Sequence, residues 1–116
     1  MEPGRATMHE LSITQSVVDA ACERAGGRPI RSIRVQVGAL TAVVPDAMLF
    51  CFDLVTEGTP AQGARLDIEP AAGGAHCASC DTDFALADPI LLCPCGSADV
   101  AVTAGRELRI LSMEVG

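Results

Sequence analysis

The sequence predicts an α+β fold, and three observations carry that expectation. Two stretches place apolar residues at helical spacing, three others alternate apolar and polar residues, and a cysteine-rich segment interrupts the chain between the second and third of the alternating stretches. The expected architecture is two helices on one face of a three-stranded sheet, with a metal-binding module inserted before the last strand. At 116 residues the chain is one domain, or one domain carrying a small insertion.

In chain order, residues 1–7 read as a flexible leader. From Leu11 the positions Leu11, Thr14, Val17, Val18, Ala21, Cys22 and Ala25 recur at helical spacing, while Asp19, Glu23 and Arg24 fall on the outer side. Gly26-Gly27 stops this helix, because glycine accepts a left-handed cap. Ile33, Val35 and Val37 alternate with Ser32, Arg34 and Gln36, as in a half-buried strand that ends at Gly38. A loop from Ala39 to Val44 leads to Pro45-Asp46, a helix start suited to proline geometry and to the helix dipole. The second helix is expected to reach about Glu57, with Met48, Leu49, Phe52 and Val55 inward. Cys22 and Cys51 read as small packing residues.

Ala64 to Glu69 alternates again, through Leu66 and Ile68. The run Pro70-Ala71-Ala72-Gly73-Gly74 reads as a hinge by composition. Val100 and Val102 suggest a short strand, Gly105 a turn, and Leu108 to Val115 the last long strand. The apolar phase of that strand changes between Ile110 and Leu111, which a bulge or burial on both sides accounts for. The expected division is a sheet domain over 8–70 and 105–116, with a metal module over 71–104.

The module holds Cys77-Ala78-Ser79-Cys80 and Cys93-Pro94-Cys95. Two pairs of thiolates brought to one point suit a tetrahedral ion, and a closed set of four soft ligands is what structural zinc requires. Its large apolar residues are only Phe84, Leu86, Ile90, Leu91 and Leu92, so metal binding is expected to supply much of its folding free energy. Two disulfides close the same loops, but nothing in the chain points to an oxidising compartment. Iron is the rival metal, since a tetrahedral sulfur site suits both ions. His76, beside Cys77, reads as a solvated neighbour and as the spare ligand if the short Cys93-Pro94-Cys95 ring displaces a thiolate. Gly96 follows the last cysteine, where such a turn needs positive φ.

Composition excludes several classes. No run of eighteen apolar residues exists to span a bilayer, and residues 1–7 lack the apolar core of a signal peptide, so a cytoplasmic protein with reduced thiols is expected. A net charge of -7 argues against nucleic-acid binding, and the absence of Trp and Tyr against base stacking. There is no Gly-rich phosphate loop and no assembled nucleophile, base and oxyanion set, so no enzyme is expected.

Met8-His9-Glu10-Leu11-Ser12, Val37-Gly38-Ala39-Leu40, Phe50-Cys51-Phe52, the paired cysteines and Gly105-Arg106-Glu107-Leu108 together resemble the HypA/HybF family over residues 8 to 115. These are nickel metallochaperones for hydrogenase maturation. The resemblance implies an α+β nickel-binding domain carrying a zinc-ribbon module, with Zn(II) structural at Cys77, Cys80, Cys93 and Cys95 and Ni(II) as cargo at Met8, His9 and Glu10. A free α-amine, the next backbone nitrogen and an imidazole at the second residue form fused chelate rings that favour planar Ni(II). Without the resemblance, His9 reads as a solvated residue or cap beside a helix start. The chain departs from the family at two points. Seven residues precede Met8, so that the chain starts at Met8, or loses its leader, or binds without the amine. One residue, not the usual two, separates the second cysteine pair. An acidic nickel-site residue that some members carry before the second helix matches near Val44 and is not carried over.

The implied partners are a nickel-handling GTPase and a hydrogenase large-subunit precursor, with no nucleic acid and no membrane. Two other functions fit the residues: a rubredoxin-like electron carrier with iron on the same four thiolates, and a zinc-ribbon interaction module without nickel chemistry.

Overall fold

A computed structural model describes residues 8–87 and 90–116. The expected leader over 1–7 lies outside the described residues. The elements are helix α1 (Met8–Ala25), strand β1 (Ile30–Gly38), a 3-10 turn (Ala39–Thr41), helix α2 (Pro45–Val55), and strands β2 (Arg65–Ala71), β3 (Gly73–Cys77), β4 (Thr82–Leu86), β5 (Val100–Ala104) and β6 (Leu108–Val115). They form two three-stranded sheets, ordered β2-β1-β6 and β4-β3-β5. The chain divides into two compact units. One holds the residues up to Val35, Val43–Glu69 and Arg109–Gly116; the other holds Gln36–Ala42 and Pro70–Leu108.

In the first unit, α1 buries Thr14, Val17, Val18, Ala21 and Ala25, and α2 buries Ala47, Met48, Cys51 and Phe52. With Ile30, Ile33 and Val35 of β1 these make its core. Gly26 and Gly27 both adopt positive φ, as expected of a helix stop. Two inward assignments change. Leu49 is exposed, because the buried arc of α2 runs through Ala47, Met48, Cys51 and Phe52 and leaves position 49 beyond its edge. Cys22 is only half-buried, at the margin of the α1 arc, whereas Cys51 is fully enclosed. Helix α1 also starts three residues before the first apolar position, with Glu10 in its opening turn. Burial along β6 slips phase at the expected place: Leu111 and Ser112 are both exposed between half-buried Ile110 and Met113.

In the second unit, β3 pairs antiparallel with β4 (His76 opposite Asp83, Cys77 opposite Thr82) and with β5 (Cys77 opposite Val100), with an irregularity between Gly74 and Ala75. The run from Pro70 to Gly74 is not a loose hinge: Pro70 and Ala71 end β2, and Gly73 and Gly74 begin β3. Its glycines serve close approach. A Cβ on Gly73 would lie 2.2 Å from the Leu86 carbonyl oxygen, one on Gly105 2.7 Å from the Gly73 Cα, and one on Gly38 2.1 Å from the Gly105 carbonyl oxygen. At this crossing Gly38 N–H donates to the Glu107 carbonyl and Leu40 N–H to the Gly105 carbonyl, each at 2.7 Å. The Glu107 carboxylate accepts from Gly105 N–H, which holds Gly105 at its positive φ of 109°.

Candidate metal centre

The second unit buries few large side chains; its enclosed residues include Ala75, Cys77, Leu86 and Cys93. Ile90 and Leu92 are exposed, so the apolar residues of this segment do not form a core. The four cysteines take that place. Cys77 ends β3, Cys80 closes the turn after it, and Cys93 and Cys95 lie on the return loop before β5. All four sulfurs lie within 4.8 Å of one another. Cys77 and Cys95 are 3.7 Å apart and Cys80 and Cys93 3.6 Å. A tetrahedral zinc–thiolate site, with bonds of about 2.3 Å, sets its sulfurs about 3.8 Å apart, so the donor set fits zinc.

The single-residue spacing of the second pair does not prevent convergence. Gly96 N–H donates to the Cys93 carbonyl, and Cys93 N–H to the Ser97 carbonyl, closing a tight turn around Pro94 and Cys95. Gly96 stands at φ 95° and Asp81 at φ 56°, each directly after the last cysteine of its turn. The two turns are also tied to each other: Ser79 and Ser97 hydroxyls meet at 2.7 Å, and Ala78 N–H donates to the Asp99 carbonyl. The Thr82 hydroxyl lies 2.9 Å from the Cys80 sulfur. Spacing alone revealed none of these supports. The readable signal was Asp81 standing where Gly96 stands in the other turn, since aspartate tolerates the left-handed region better than most residues.

The thiols are electrically unequal. The Cys80 backbone N–H, aided by neighbouring thiols and against burial, lowers Cys77 to about 6. The Cys95 N–H lowers Cys93, but burial and the three other thiols outweigh it and push it up to about 12. One group is thus ready to bind as thiolate, and another gives up its proton only to a metal.

His76 has no ring nitrogen left for the ion. Its Nδ1 lies 2.7 Å from Asp83 Oδ1 and its Nε2 3.1 Å from Asp81 Oδ1. The Asp83 hydrogen bond first, and both carboxylate charges, hold its pKa above the ordinary value.

Met8, His9 and Glu10 form the first turn of α1. Met8 and His9 are at the surface, Met8 being 74% exposed. Glu10 is 3% exposed, and its carboxylate accepts a hydrogen bond from the Val44 N–H. No helix among the described residues is long and apolar enough to cross a membrane.

Residues 8–115 match the family model described as HypA, hydrogenase/urease nickel incorporation, metallochaperone. Among curated relatives, the hydrogenase maturation factor HypA of Methylocella silvestris is 46% identical over 113 residues, covering 93% of this chain and 99% of its own. That of Geobacter sulfurreducens is 45% identical over 109 residues, with the same coverage. The solution structure of the Ni metallochaperone HypA from Helicobacter pylori superposes with a TM-score of 0.66 at 25% identity, covering 91% of this chain and 96% of that one.

Proposed function

The chain belongs to the HypA family, and from that premise we propose that it binds Ni(II) at its N-terminal turn and delivers it for insertion into the large subunit of [NiFe] hydrogenase. It is a metal carrier, not an enzyme. Nickel is the cargo; zinc, held by Cys77, Cys80, Cys93 and Cys95, replaces the missing apolar core of the second unit and performs no chemistry on the cargo.

The observation that carries the nickel reading is the division of roles within one turn. Met8 and His9 are exposed where α1 begins, while the Glu10 side chain faces inward. Backbone nitrogens there, with the His9 imidazole, supply the nitrogen-rich set that planar Ni(II) favours. Glu10 contributes through its backbone, and its carboxylate holds the turn in place. The partners that follow from this role are a nickel-handling GTPase and the hydrogenase large-subunit precursor, and family membership is the support for both.

The test is a nickel titration of three zinc-loaded proteins: 1–116, 8–116 and the His9→Ala variant. In the 8–116 chain the free amine adjoins His9, and it loses its proton to a metal readily because its pKa lies near 7.7–8.0. Tighter binding by 8–116 than by 1–116, and loss of binding in His9→Ala, are expected. Equal affinity of the first two removes the amine as a ligand, and unchanged binding by His9→Ala overturns the site.

A further inference from the structure

Each sheet has two outer strands, and three of these four carry residues that keep such edges solitary. β2 holds Arg65, Asp67, Glu69 and Pro70, β4 holds Asp83, and β6 holds Arg109 and Glu114. β5 holds none of this kind. It reads Val100-Ala101-Val102-Thr103-Ala104, with neither a charge nor a proline, and its β-branched residues suit further pairing.

The register with β3 sets which groups of β5 are free. The Ala78 N–H donates to the Asp99 carbonyl, so the bonded pairs of this ladder are Ala78 with Asp99 and His76 with Ala101. The N–H and C=O of Val102 therefore point away from β3, along the outer edge. The ladder slips only beyond Val102, between Ala75 and Gly74. A cavity of about 360 Å³ lies along that edge, lined by Val102, Thr103, Ala104, Arg106 and Glu107. Val100 and Val102 pair with buried Cys77 and Ala75, yet are themselves only half-buried.

The ends of the strand identify the occupant. Asp99 precedes β5 and Arg106 follows it, after the turn at Gly105; both are exposed, and neither has an ion pair among the described residues. The Glu107 carboxylate is already engaged by the Gly105 N–H. Antiparallel pairing of β5 with its own copy, on a two-fold axis at Val102, sets Val102 against Val102 and Val100 against Ala104. It also brings Asp99 of each copy to the end where Arg106 of the other stands. The seam is then uncharged and both ends join opposite charges, which offsets the repulsion between molecules of net charge -7. A foreign strand has to supply both charges at the same spacing, whereas a second copy carries them already.

We propose that two copies of this chain associate through the outer edge of β5, joining their zinc-module sheets into one continuous sheet. One short strand pair is a small contact, so the dimer is a weak one that forms with rising concentration. Neither the zinc ligands nor the nickel turn supplies a residue to it, so failure of this contact leaves both of those readings standing.

The test is analytical ultracentrifugation of the full zinc-loaded chain from about 1 µM to about 1 mM. Reversible dimer formation is expected, with slowed amide exchange at Val102. Val102→Pro is expected to stay monomeric yet folded, because the lost N–H serves no bond within its own sheet. Asp99→Arg and Arg106→Asp are each expected to weaken association about tenfold, since each change acts twice across the axis, and the double variant to restore it. Zinc content and circular dichroism verify that the variants are folded. A parent that stays monomeric throughout would overturn the proposal and leave the edge to a strand of another protein. A dimer that Val102→Pro leaves intact, or a double charge reversal no better than the single ones, would overturn it as well.

Discussion

The Glu10 carboxylate accepts a hydrogen bond from the Val44 N–H at 3.4 Å, joining the first turn of α1 to the N-cap of α2 across 34 positions of sequence. Val44 has no side-chain cap of its own, so Glu10 provides the oxygen that a serine or aspartate there would supply. Its charge also lies at the positive end of the α2 dipole. Glu10→Ala is expected to cost about 1–2 kcal/mol of stability, and Glu10→Gln less, because the amide keeps an acceptor. Urea unfolding followed by circular dichroism measures both. A nickel affinity unchanged in Glu10→Gln is the companion expectation, and its loss would make the carboxylate itself a ligand.

Cys51 gives the first unit an alkaline limit. Burial first, and the Glu10 carboxylate second, raise its thiol pKa above the ordinary thiol value. The folded state therefore holds that proton more tightly than the unfolded state. Its contribution is complete below the unfolded thiol value, about 8.5, and declines as pH rises through it toward the folded pKa. Stability measured at pH 7.5, 8.5 and 9.5 should fall along the series, with a shallower fall in Cys51→Ala. Parallel slopes would assign the decline to other groups.

The zinc site should report its own unit. Cys80→Ala and Cys95→Ala are expected to lose stoichiometric zinc and the amide protection of β3, β4 and β5, while α1 and α2 keep theirs. Cobalt in place of zinc should give the intense visible bands of a tetrahedral thiolate site. Zinc should leave as pH falls and the thiolates take up protons. A protein coloured as purified would favour iron instead.

The glycines separate two kinds of constraint. Gly27 has positive φ and open space around it, so Gly27→Ala should cost about 1–2 kcal/mol from backbone strain alone. Gly38 has ordinary φ, but a methyl group there would meet the Gly105 carbonyl at 2.1 Å. Gly38→Ala should therefore cost about 3 kcal/mol or more, as overpacking against rigid backbone does. Thermal melts of the two variants give the order, and a milder Gly38→Ala would show that the crossing can open.

The helices and long strands were legible because a buried stripe imposes a period on the sequence, as at Val17, Val18, Ala21 and Ala25, or at Ile33, Val35 and Val37. The four cysteines were legible because their chemistry restricts them to few uses. Other features depend on partners distant in sequence. Glu10 entered only as part of the nickel motif that the resemblance implies, and only the approach of Val44 makes it a buried cap. Pro70 to Gly74 looked like a flexible joint, because composition does not distinguish a glycine that bends from one that lets two backbones touch. His76 looked like a possible ligand until the β3–β4 register placed Asp83 across from it.

The contact of Gly73 with Gly105 joins points 32 residues apart, and between them the zinc site ties Cys77 to Cys95. A chain cross-linked in this way is, as a polymer, a shorter chain: the span that must close falls to less than half. Loop-closure entropy grows as the logarithm of length, so this shortening is worth about 0.7 kcal/mol before any native contact forms. Metal loading then affects the order of events as well as the end state. A chain that captures zinc while unfolded should bring β3 and β5 together a few-fold faster than one loaded afterwards, which stopped-flow refolding with zinc added before or after dilution would measure. In a cell, the supply of zinc during synthesis would set how long the β3 and β5 edges remain unpaired and open to aggregation.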